Sequence, residues 1–391
     1  MKKLLALVLA LSMVFVLAAC GSTSTDTTTK SADSNETTAS DNSGQDQGDV
    51  ELKSYKIGVI CHTNSGGCWD RIYDAAGYVA ENLNCTVSSA VGSNADSVLT
   101  EAENFIAAGY DGIILLADGG VTSRLIDMCS EAGVYVMFSG CNLTVTEEDG
   151  FDEFSKNEYY CGNIAHDEYG DAAACAQMMI DNGAKNFVIY GLPPGISSNF
   201  DLRVSGAEDT IEKAGYTFNE VRSYTLSQVS PTIMSQYPDT DAIFSFVTTP
   251  DSFNVEDFAE NYGDKVQVSG YMCGDVSKEF ELGFMDYVCV AEEAQIEMSF
   301  AVLYNALTGN RICEEDGTAP VIEFSHLWID NADDYAAFIN ATTGGNHAYD
   351  FDTVVKNWLT IYGNDVKIDD LAATAAQFSD KSDSGWLASV K

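Results

Sequence analysis

The sequence predicts an α/β protein with two doubly wound lobes, each built on a parallel sheet that helices cover on both faces. Short apolar runs rich in β-branched residues alternate with segments whose apolar residues recur at helical spacing. These short runs are apolar on both faces, which is typical of strands buried in a parallel sheet. Roughly 340 residues follow position 54, more than one core usually supports, so two lobes are expected.

The first lobe begins with a strand predicted over 56–61, a short apolar run without helical period. A helix follows over 70–82, where apolar side chains recur every three or four positions. Gly109 ends a helix predicted over 97–108, because glycine readily adopts the left-handed backbone that closes helices. The remaining predicted elements are strands over 85–91, 112–117 and 134–138 and a helix over 125–132.

The second lobe repeats this alternation after Cys161, and the change of lobe is expected near 163–169. The predicted elements are helices over 172–180 and 203–213 and strands over 186–190, 242–246, 266–269 and 287–291. The expected extents are residues 55–165 with 293–320 for the first lobe and residues 166–292 with 321–391 for the second.

The amino-terminal segment is typical of an exported lipoprotein. Lys2 and Lys3 precede an uncharged apolar run over 4–19, the arrangement found in signal peptides. The run ends in Leu-Ala-Ala-Cys-Gly over 17–21, which resembles a lipobox, so removal of residues 1–19 and lipid attachment at Cys20 are expected. An uncleaved transmembrane anchor is the alternative, but sixteen residues are short for a span of about 20. The mature protein is therefore expected outside the cytoplasm, anchored to the cell membrane by lipid.

Residues 20–54 are expected to form a disordered tether. They are rich in Ser, Thr, Asp, Asn and Gly, and bury too little apolar surface to offset the entropy of ordering. The whole chain has 19 basic and 60 acidic residues, a net charge of −41. Such a charge repels phosphate backbones, so nucleic acid is excluded as an expected partner.

Ten of the eleven cysteines follow Cys20. Several of them, such as Cys289, lie in apolar patterns where cysteine acts as a small hydrophobic residue. Outside the cytoplasm disulfides are common, so a disulfide between Cys61 and Cys68 and free thiols are both open. A metal held by these two cysteines and His62 fits known zinc spacings poorly. Neither a metal nor another cofactor is expected.

No catalytic motif is found: the sequence lacks GxSxG, a P-loop, a GxGxxG after a strand and HExxH, so an enzyme is not expected. Ligands of open α/β sheets bind beyond the carboxyl ends of the strands. Carboxylates and amides there suit the hydroxyl groups of an uncharged polar ligand, and an aromatic ring suits its C–H groups. The candidate ligand-binding residues are Asn64, Trp69, Asp70, Asp118, Ser139, Asn142, Phe200, Arg203, Thr248, Asp275 and Glu292.

For three of these candidates, a structural role is an alternative to ligand binding. Trp69 also fits the inward stripe of the first helix, so core packing and ligand stacking are both open. Asp118 could cap the helix that follows it. Arg203 lies at a helix start, where the helix dipole disfavours a positive charge, so a specific partner is expected for it.

From residue 55 to about 329 the chain resembles the type I periplasmic binding proteins, specifically the sugar-binding lipoproteins of ABC transporters. The resemblance implies two lobes joined by a three-stranded hinge, with a ligand that stabilises the closed form. Residues 330–391 are similar to the helical extension of some of these lipoproteins, which suits packing across the back of a lobe. The matching runs are Tyr-Lys-Ile-Gly-Val-Ile over 55–60, Phe-Ile-Ala-Ala-Gly-Tyr-Asp-Gly-Ile-Ile over 105–114, residues 133–138, Arg-Val-Ser-Gly over 203–206 and Val-Ser-Gly-Tyr over 268–271.

Residue by residue, the resemblance implies a stacking aromatic at Trp69, a polar contact at Asn64 and a hydroxyl-binding arginine at Arg203. The chain departs from the family at Ser139 and Gly140, where the family has an Asp-Arg pair. Several polar anchors of common pentose and hexose binders are therefore absent. The further departures are Cys68 in place of a second aromatic, and Val247, Met272 and Glu292 near the family's Asn, Asp and Gln.

The resemblance implies a monomeric solute-binding protein of an ABC importer that takes a sugar or similar small polar solute and delivers it to membrane permease subunits. The alternative is a sensory receptor of the same fold, binding a nucleoside or another small polar solute and signalling to a membrane kinase or chemoreceptor. A lipid-anchored hydrolase would need a nucleophile and a base in the cleft, and no such pair is evident.

Overall fold

The computed structural model describes residues 50–63, 66–116, 120–271 and 274–391. The predicted lipid-attachment residue Cys20 and the candidate residues Asn64 and Asp118 lie outside these ranges.

Strands and helices alternate along the described residues, as the sequence predicts. The strands are β1 Lys56–Cys61, β2 Thr86–Val91, β3 Gly112–Leu115, β4 Tyr135–Asn142, β5 Tyr160–His166, β6 Asn186–Gly191, β7 Thr217–Arg222, β8 Ala242–Ser245, β9 Gln267–Tyr271, β10 Tyr287–Val290, β11 Val321–Glu323 and β12 Leu327–Ile329.

The helices lie on the faces of the sheets and in the carboxyl-terminal region. Within the described ranges, no helix is both long enough and apolar enough to cross a membrane. The α-helices are α1 Trp69–Asn82, α2 Ala95–Ala107, α3 Thr122–Ala132, α4 Phe151–Phe154, α5 Glu168–Asp181, α6 Ser198–Lys213, α7 Leu226–Val229, α8 Ile233–Gln236, α9 Val255–Tyr262, α10 Ser277–Glu281, α11 Glu292–Leu307, α12 Ala332–Thr342, α13 Ile368–Ser379 and α14 Trp386–Val390. Short 3₁₀ helices cover Leu143–Glu147, Ser230–Thr232, Pro250–Ser252, Val355–Trp358 and Thr360–Tyr362.

The first sheet has six strands in the order β11-β5-β4-β3-β1-β2, and every neighbouring pair is parallel. Strand β1 shows why its sequence is apolar on both faces. Ile57 and Val59 belong to the core shared with α1 and α11, whereas Ile60 belongs to the core under α2 and α3. A side chain at Gly58 would come within 2.5 Å of the Phe105 ring, so the glycine gives α2 room to pack. The predicted doubly wound architecture is confirmed for this lobe.

The second sheet has the order β12-β10-β9-β8-β6-β7, parallel except where β12 runs antiparallel to β10. Strands β5, β7, β11 and β12 are not predicted by the sequence pattern. Strand β7 is an edge strand with the polar sequence Thr-Phe-Asn-Glu-Val-Arg, and β11 and β12 have three residues each. Strands so short or so polar lack the apolar run that marks a buried strand.

The chain crosses between the lobes three times, at 166–168, 290–292 and 323–327, where β5 leads to α5, β10 to α11 and β11 to β12. The third crossing differs from the expected boundary at residue 321. Val321–Glu323 still pairs with β5 of the first sheet, so the chain enters the second lobe only between Glu323 and Leu327. The fold therefore has the three-stranded hinge that the resemblance implies.

The carboxyl-terminal extension packs against both lobes rather than against one. Helix α12 contacts α10 of the second lobe, and α13 contacts both β11 and β12. The Asn305 amide of α11 donates to the Trp358 carbonyl at 2.7 Å, and the buried Glu297 carboxylate accepts from the amides of Ala348 and Tyr349, both at 3.1 Å. The extension thereby links the first lobe to the second behind the hinge.

We predict that Gly206→Ala destabilises the fold, because α5 and α6 approach closely at this glycine. A Cβ at Gly206 would lie 2.1 Å from the Tyr169 carbonyl oxygen, a clash that only a shift of one helix can relieve. The expected loss in the free energy of unfolding is about 1–3 kcal/mol, measured by urea denaturation.

Gly77→Ala in α1 is the matched control, because a Cβ there meets nothing within 4 Å. The better helix propensity of alanine should then raise stability by up to about 1 kcal/mol. Equal effects of the two substitutions would contradict the close helix approach at Gly206.

Candidate ligand-binding cleft

A cavity of about 440 Å³ lies between the two lobes, at the carboxyl ends of both sheets. Its volume is within the range of small-molecule sites, about 300–1,000 Å³. The first lobe contributes His62, Trp69, Ser93, Leu116, Ser139 and Gly140; the second contributes Leu192, Ile196, Ser197, Asn199, Phe200, Arg203, Leu226, Val247, Thr248 and Tyr271; the crossovers contribute His166, Glu168 and Glu292. Residues at, near or after the carboxyl ends of ten strands, β1–β10, line the cavity together.

Both lobes place large aromatic side chains at the cavity. Trp69 begins α1 and is half-buried; it lines the cavity and also packs against the core of the first lobe. Core packing is thereby confirmed for Trp69, while its stacking on a ligand stays a prediction. Phe200 lies near the start of α6, with its ring 5.9 Å from that of Phe246.

Arg203 is held by a buried ion pair with Glu168. Its Nε and Nη2 donate to the two carboxylate oxygens of Glu168 at 2.5 and 2.8 Å, and Nη1 donates to the Phe246 carbonyl at 3.2 Å. The guanidinium also lies over the Tyr271 ring, 4.1 Å from its centroid. Burial alone would raise the pKa of Glu168, but the adjacent Arg203 lowers this pKa below its usual value, so the pair is ionised. The partner expected for Arg203 is therefore Glu168.

A second buried polar group lies at the crossovers, where the rings of His166 and His326 stack with centroids 3.9 Å apart. The His166 Nδ1 lies 2.7 Å from the Phe324 carbonyl oxygen, and the His326 Nδ1 lies 2.7 Å from Oδ2 of Asp171. Since a carbonyl and a carboxylate only accept, both Nδ1 atoms carry a proton. The Nε2 of His326 faces Oε1 of Glu292 at 3.5 Å.

The protonation of this group follows from its surroundings. Burial and the neighbouring His326 lower the pKa of His166. Burial also opposes a charge on His326, yet Cys289, Asp171 and Glu292 hold the pKa of its imidazole well above the usual value. Burial would raise the pKa of Glu292, but His326 lowers it to about 2. One neutral and one charged imidazole thus lie beside a carboxylate at the hinge.

Hydrogen bonds also join the two lobes beside the cavity. The Asn142 amide nitrogen of β4 donates to Oγ of Ser198 and Oδ1 of Asn199, both at 3.0 Å. The Asn199 amide nitrogen donates back to the Gly140 carbonyl at 3.2 Å. Asn142 therefore bridges the lobes and does not line the cavity, although the sequence analysis assigned it to the ligand.

The structure brings six of the candidate residues to the cavity: Trp69, Ser139, Phe200, Arg203, Thr248 and Glu292. Asp70 and Asp275 are exposed and lie outside the lining, because each carboxylate closes a local turn. Asp70 accepts from the Gly66 amide at 3.4 Å, and Asp275 accepts from the Ser277 amide at 3.0 Å. A position after a strand does not determine the direction of the side chain, so Asp70 and Asp275 do not reach the cavity as the sequence predicted.

Several lining residues are not among the candidates predicted from the sequence. His62 and Ser93 follow β1 and β2 closely, so the rule that selected the other candidates could have found them. His166 and Glu168 follow β5, which was not identified because glycine and asparagine interrupt its apolar run. Without that strand, no signal placed these two residues at the carboxyl edge of a sheet.

Cys61 and Cys68 are both buried in the first lobe and are not joined to each other by a disulfide. The Cys61 thiol donates to the Thr63 carbonyl at 2.8 Å and contacts the Tyr73 hydroxyl. The disulfide that the sequence left open between Cys61 and Cys68 is therefore absent.

No protein-family model matches the chain, and no curated protein matches it in sequence. Solved structures match it along most of its length. A carbohydrate transporter from Acidothermus cellulolyticus in complex with myo-inositol has a TM-score of 0.62 and 14% identity, covering 75% of this chain and 100% of its own. The chain has the type I periplasmic binding protein fold. The fold predicted from the sequence resemblance is thereby confirmed.

Two further structures share this fold. An ABC transporter solute-binding protein from Burkholderia graminis in complex with D-arabinose has a TM-score of 0.59 and 15% identity, covering 72% of this chain and 96% of its own. Another from Agrobacterium vitis, bound with α-D-tagatopyranose, has a TM-score of 0.58 and 14% identity, covering 78% of this chain and 99% of its own.

We predict that Arg203→Met destabilises the protein strongly, since it leaves the Glu168 carboxylate buried without its partner. The expected loss is about 3–5 kcal/mol in the free energy of unfolding, measured by urea denaturation. The double substitution with Glu168→Met should recover most of this loss, because it removes both buried charges.

Lys213→Met is the matched control in the same helix, where Lys213 pairs with Asp209 at 3.6 Å in an exposed position. Its removal should leave stability almost unchanged. A small effect of Arg203→Met, or a double variant as unstable as the single one, would contradict the coupling between Arg203 and Glu168.

Proposed function

We propose that this protein is a lipid-anchored, extracytoplasmic solute-binding protein of an ABC importer, and that it binds a sugar derivative or similar small polar solute between its lobes. The observation that carries this proposal is the cavity itself, where both lobes place an aromatic side chain and buried hydrogen-bonding groups around one space of about 440 Å³. A site of this kind encloses a small molecule and fixes its orientation with a few polar groups.

The chemistry of the lining supports a solute with hydroxyl groups. Ser139, Asn199 and Thr248 offer donors and acceptors, while the rings of Trp69 and Phe200 offer apolar faces for C–H groups. Structures of the same fold hold myo-inositol, D-arabinose and α-D-tagatopyranose, which supports a ligand of the polyol class.

The lining also supports a solute that is less polar than a plain hexose. Leu116, Leu192, Ile196 and Val247 contribute aliphatic side chains to the cavity. Aliphatic walls leave ring hydroxyls without partners, and an unpaired polar group is unfavourable when buried. In a sugar derivative with an apolar substituent, the hydroxyl groups can bind the polar lining residues while the substituent contacts the aliphatic ones.

The amino-terminal signal supports the location and the anchor of the proposed receptor. Lipid on Cys20 would hold the protein at the membrane surface, where permease subunits recognise the closed form of such receptors. The hydrogen bonds of Asn142 with Ser198 and Asn199 join the lobes beside the cavity, as a closed form requires. The protein is proposed to act as a monomer without a catalytic step of its own.

We predict that a screen of sugars, sugar derivatives and nucleosides by thermal shift will find a ligand that raises the melting temperature, because binding to the folded state stabilises it by mass action. Trp69→Ala should then weaken the affinity for that ligand at least about tenfold, which corresponds to about 1.4 kcal/mol, measured by calorimetry.

Tyr135→Ala is the control for this experiment. Tyr135 is a half-buried aromatic residue of the same lobe, but it begins β4 at the end opposite the cavity and packs against Tyr159, with centroids 5.1 Å apart. Its removal should leave the affinity unchanged. A folded Trp69→Ala variant that binds as tightly as the parent protein would reject the stacking role.

The transport role has a separate test in the neighbouring genes. Permease and ATPase genes beside this gene would support an importer, whereas a sensor kinase or chemoreceptor gene in their place would favour the sensory alternative.

A further inference from the structure

Three buried side chains at the hinge come from three different crossovers. His166 ends β5, Glu292 begins α11, and His326 lies between β11 and β12. Their exposed fractions are 2%, 4% and 3%, so none of them is solvated from outside. One potential ligand atom from each, a ring nitrogen or a carboxylate oxygen, lies within 4.8 Å of the other two.

Each of the two histidine rings is oriented by a hydrogen bond that its Nδ1 makes. Nδ1 of His166 donates to the Phe324 carbonyl, and Nδ1 of His326 donates to the Asp171 carboxylate, both at 2.7 Å. Metal-binding histidines are oriented in this way, with one ring N–H on a backbone carbonyl or a carboxylate and the other nitrogen on the metal. Both variants of that arrangement occur here, side by side.

The Nε2 atom of His166 is buried and has no hydrogen-bond partner among the described residues. Buried polar atoms are almost always paired, so this unpaired nitrogen beside a second imidazole points to a bound group. In His166 the proton on Nδ1 leaves Nε2 with a lone pair. Glu292 Oε1 lies 3.5 Å from Nε2 of His326 and supplies a negative charge beside the two rings.

We propose that His166, His326 and Glu292 hold one divalent transition metal ion at the hinge, with Zn²⁺ as the best match and a fourth position open toward the cleft. Two imidazoles and one carboxylate are a ligand set that Zn²⁺ takes in sites with an open position. Mg²⁺ and Ca²⁺ prefer oxygen ligands only, so the two nitrogens exclude them. His166 and Glu292 both line the cavity, which places the open position on the side where a solute enters.

Metal binding requires a local rearrangement of the three side chains. With zinc–ligand distances of about 2.0–2.2 Å, neighbouring ligand atoms of a tetrahedral site lie about 3.3 Å apart. The ligand atoms must therefore close from separations of up to 4.8 Å. The two rings, now stacked at an interplanar angle of 25°, must turn so that their Nε2 lone pairs converge. The proton on Nε2 of His326 leaves as the metal binds, because a ligating nitrogen is unprotonated.

Such an ion would connect all three crossovers through one centre. Because the lobes move relative to each other at these segments, the bound ion would restrain their angle. The site is distinct from the solute contacts of Trp69 and Phe200, and the inference does not depend on the class of solute that the cleft takes.

The test uses the whole protein without a polyhistidine tag, stripped of metal by chelation and titrated with Zn²⁺ by calorimetry. We expect one Zn²⁺ per chain. His166→Ala and His326→Gln should each weaken Zn²⁺ binding at least about a hundredfold, and Glu292→Gln at least about tenfold. Co²⁺ should give the intense visible absorption of a four- or five-coordinate site, and Zn²⁺ should abolish this absorption by displacement.

The other two histidines provide matched controls, since the chain has four in all. His62→Ala removes an exposed histidine at the cavity, and His347→Ala removes one that stacks on Tyr78 with centroids 3.8 Å apart. Both variants should bind Zn²⁺ as the parent does. Zn²⁺ binding that is absent, or that depends on these two residues and not on the hinge histidines, would overturn the proposal.

Two further measurements keep the outcome decisive. If a histidine variant fails to fold, the nearly isosteric Glu292→Gln and the Co²⁺ spectrum of the parent protein decide the question. Solute binding by the metal-free protein, measured by thermal shift, separates the two proposals. If a solute binds and no Zn²⁺ site is found, the metal proposal is rejected and the proposed receptor function stays intact.

Discussion

The structure depends on the pairing of charged side chains that the fold buries beside the hinge. A carboxylate or guanidinium removed from water is strongly unfavourable unless an opposite charge lies next to it. Arg203 pairs with Glu168 in the second lobe, and Arg71 pairs with Glu293 in the first. His326 lies between two carboxylates on the last crossover. Because most of these partners are distant in sequence, their pairing determines how α1, α5, α6 and α11 meet at the crossovers.

The position of the cleft follows from the direction of the strands. Both sheets are parallel apart from one three-residue edge strand, so their carboxyl ends open toward the same space. Lining residues come from the ends of ten strands, and the acidic ones among the described residues, Glu168 and Glu292, come from the crossovers. These two carboxylates are therefore attached to the segments that connect the lobes. Any group that binds there acts on the hinge as well as on the cleft walls.

The carboxyl-terminal extension adds a second connection between the lobes. It contacts α10 and β12 of the second lobe and α11 and β11 of the first, on the far side of the hinge from the cavity. The two carboxyl oxygens of the buried Glu297 accept hydrogen bonds from two backbone amides of this extension. Burial raises the pKa of this carboxyl group well above its usual value. The two lobes are therefore joined through the extension as well as through the three crossovers.

The sequence by itself determined the two α/β lobes, the approximate bounds of most strands and helices, and six of the residues that line the cavity. Apolar periodicity reports local burial, and the rule on carboxyl ends converts strand positions into site positions. Only the tertiary structure decided that Asp70 and Asp275 close local turns, that Asn142 joins the lobes, and that His166 and His326 stack at the hinge. Side-chain direction and contacts across 160 positions have no local sequence signal, and three-residue strands such as Val321–Glu323 gain their partners only after the rest of the sheet has formed.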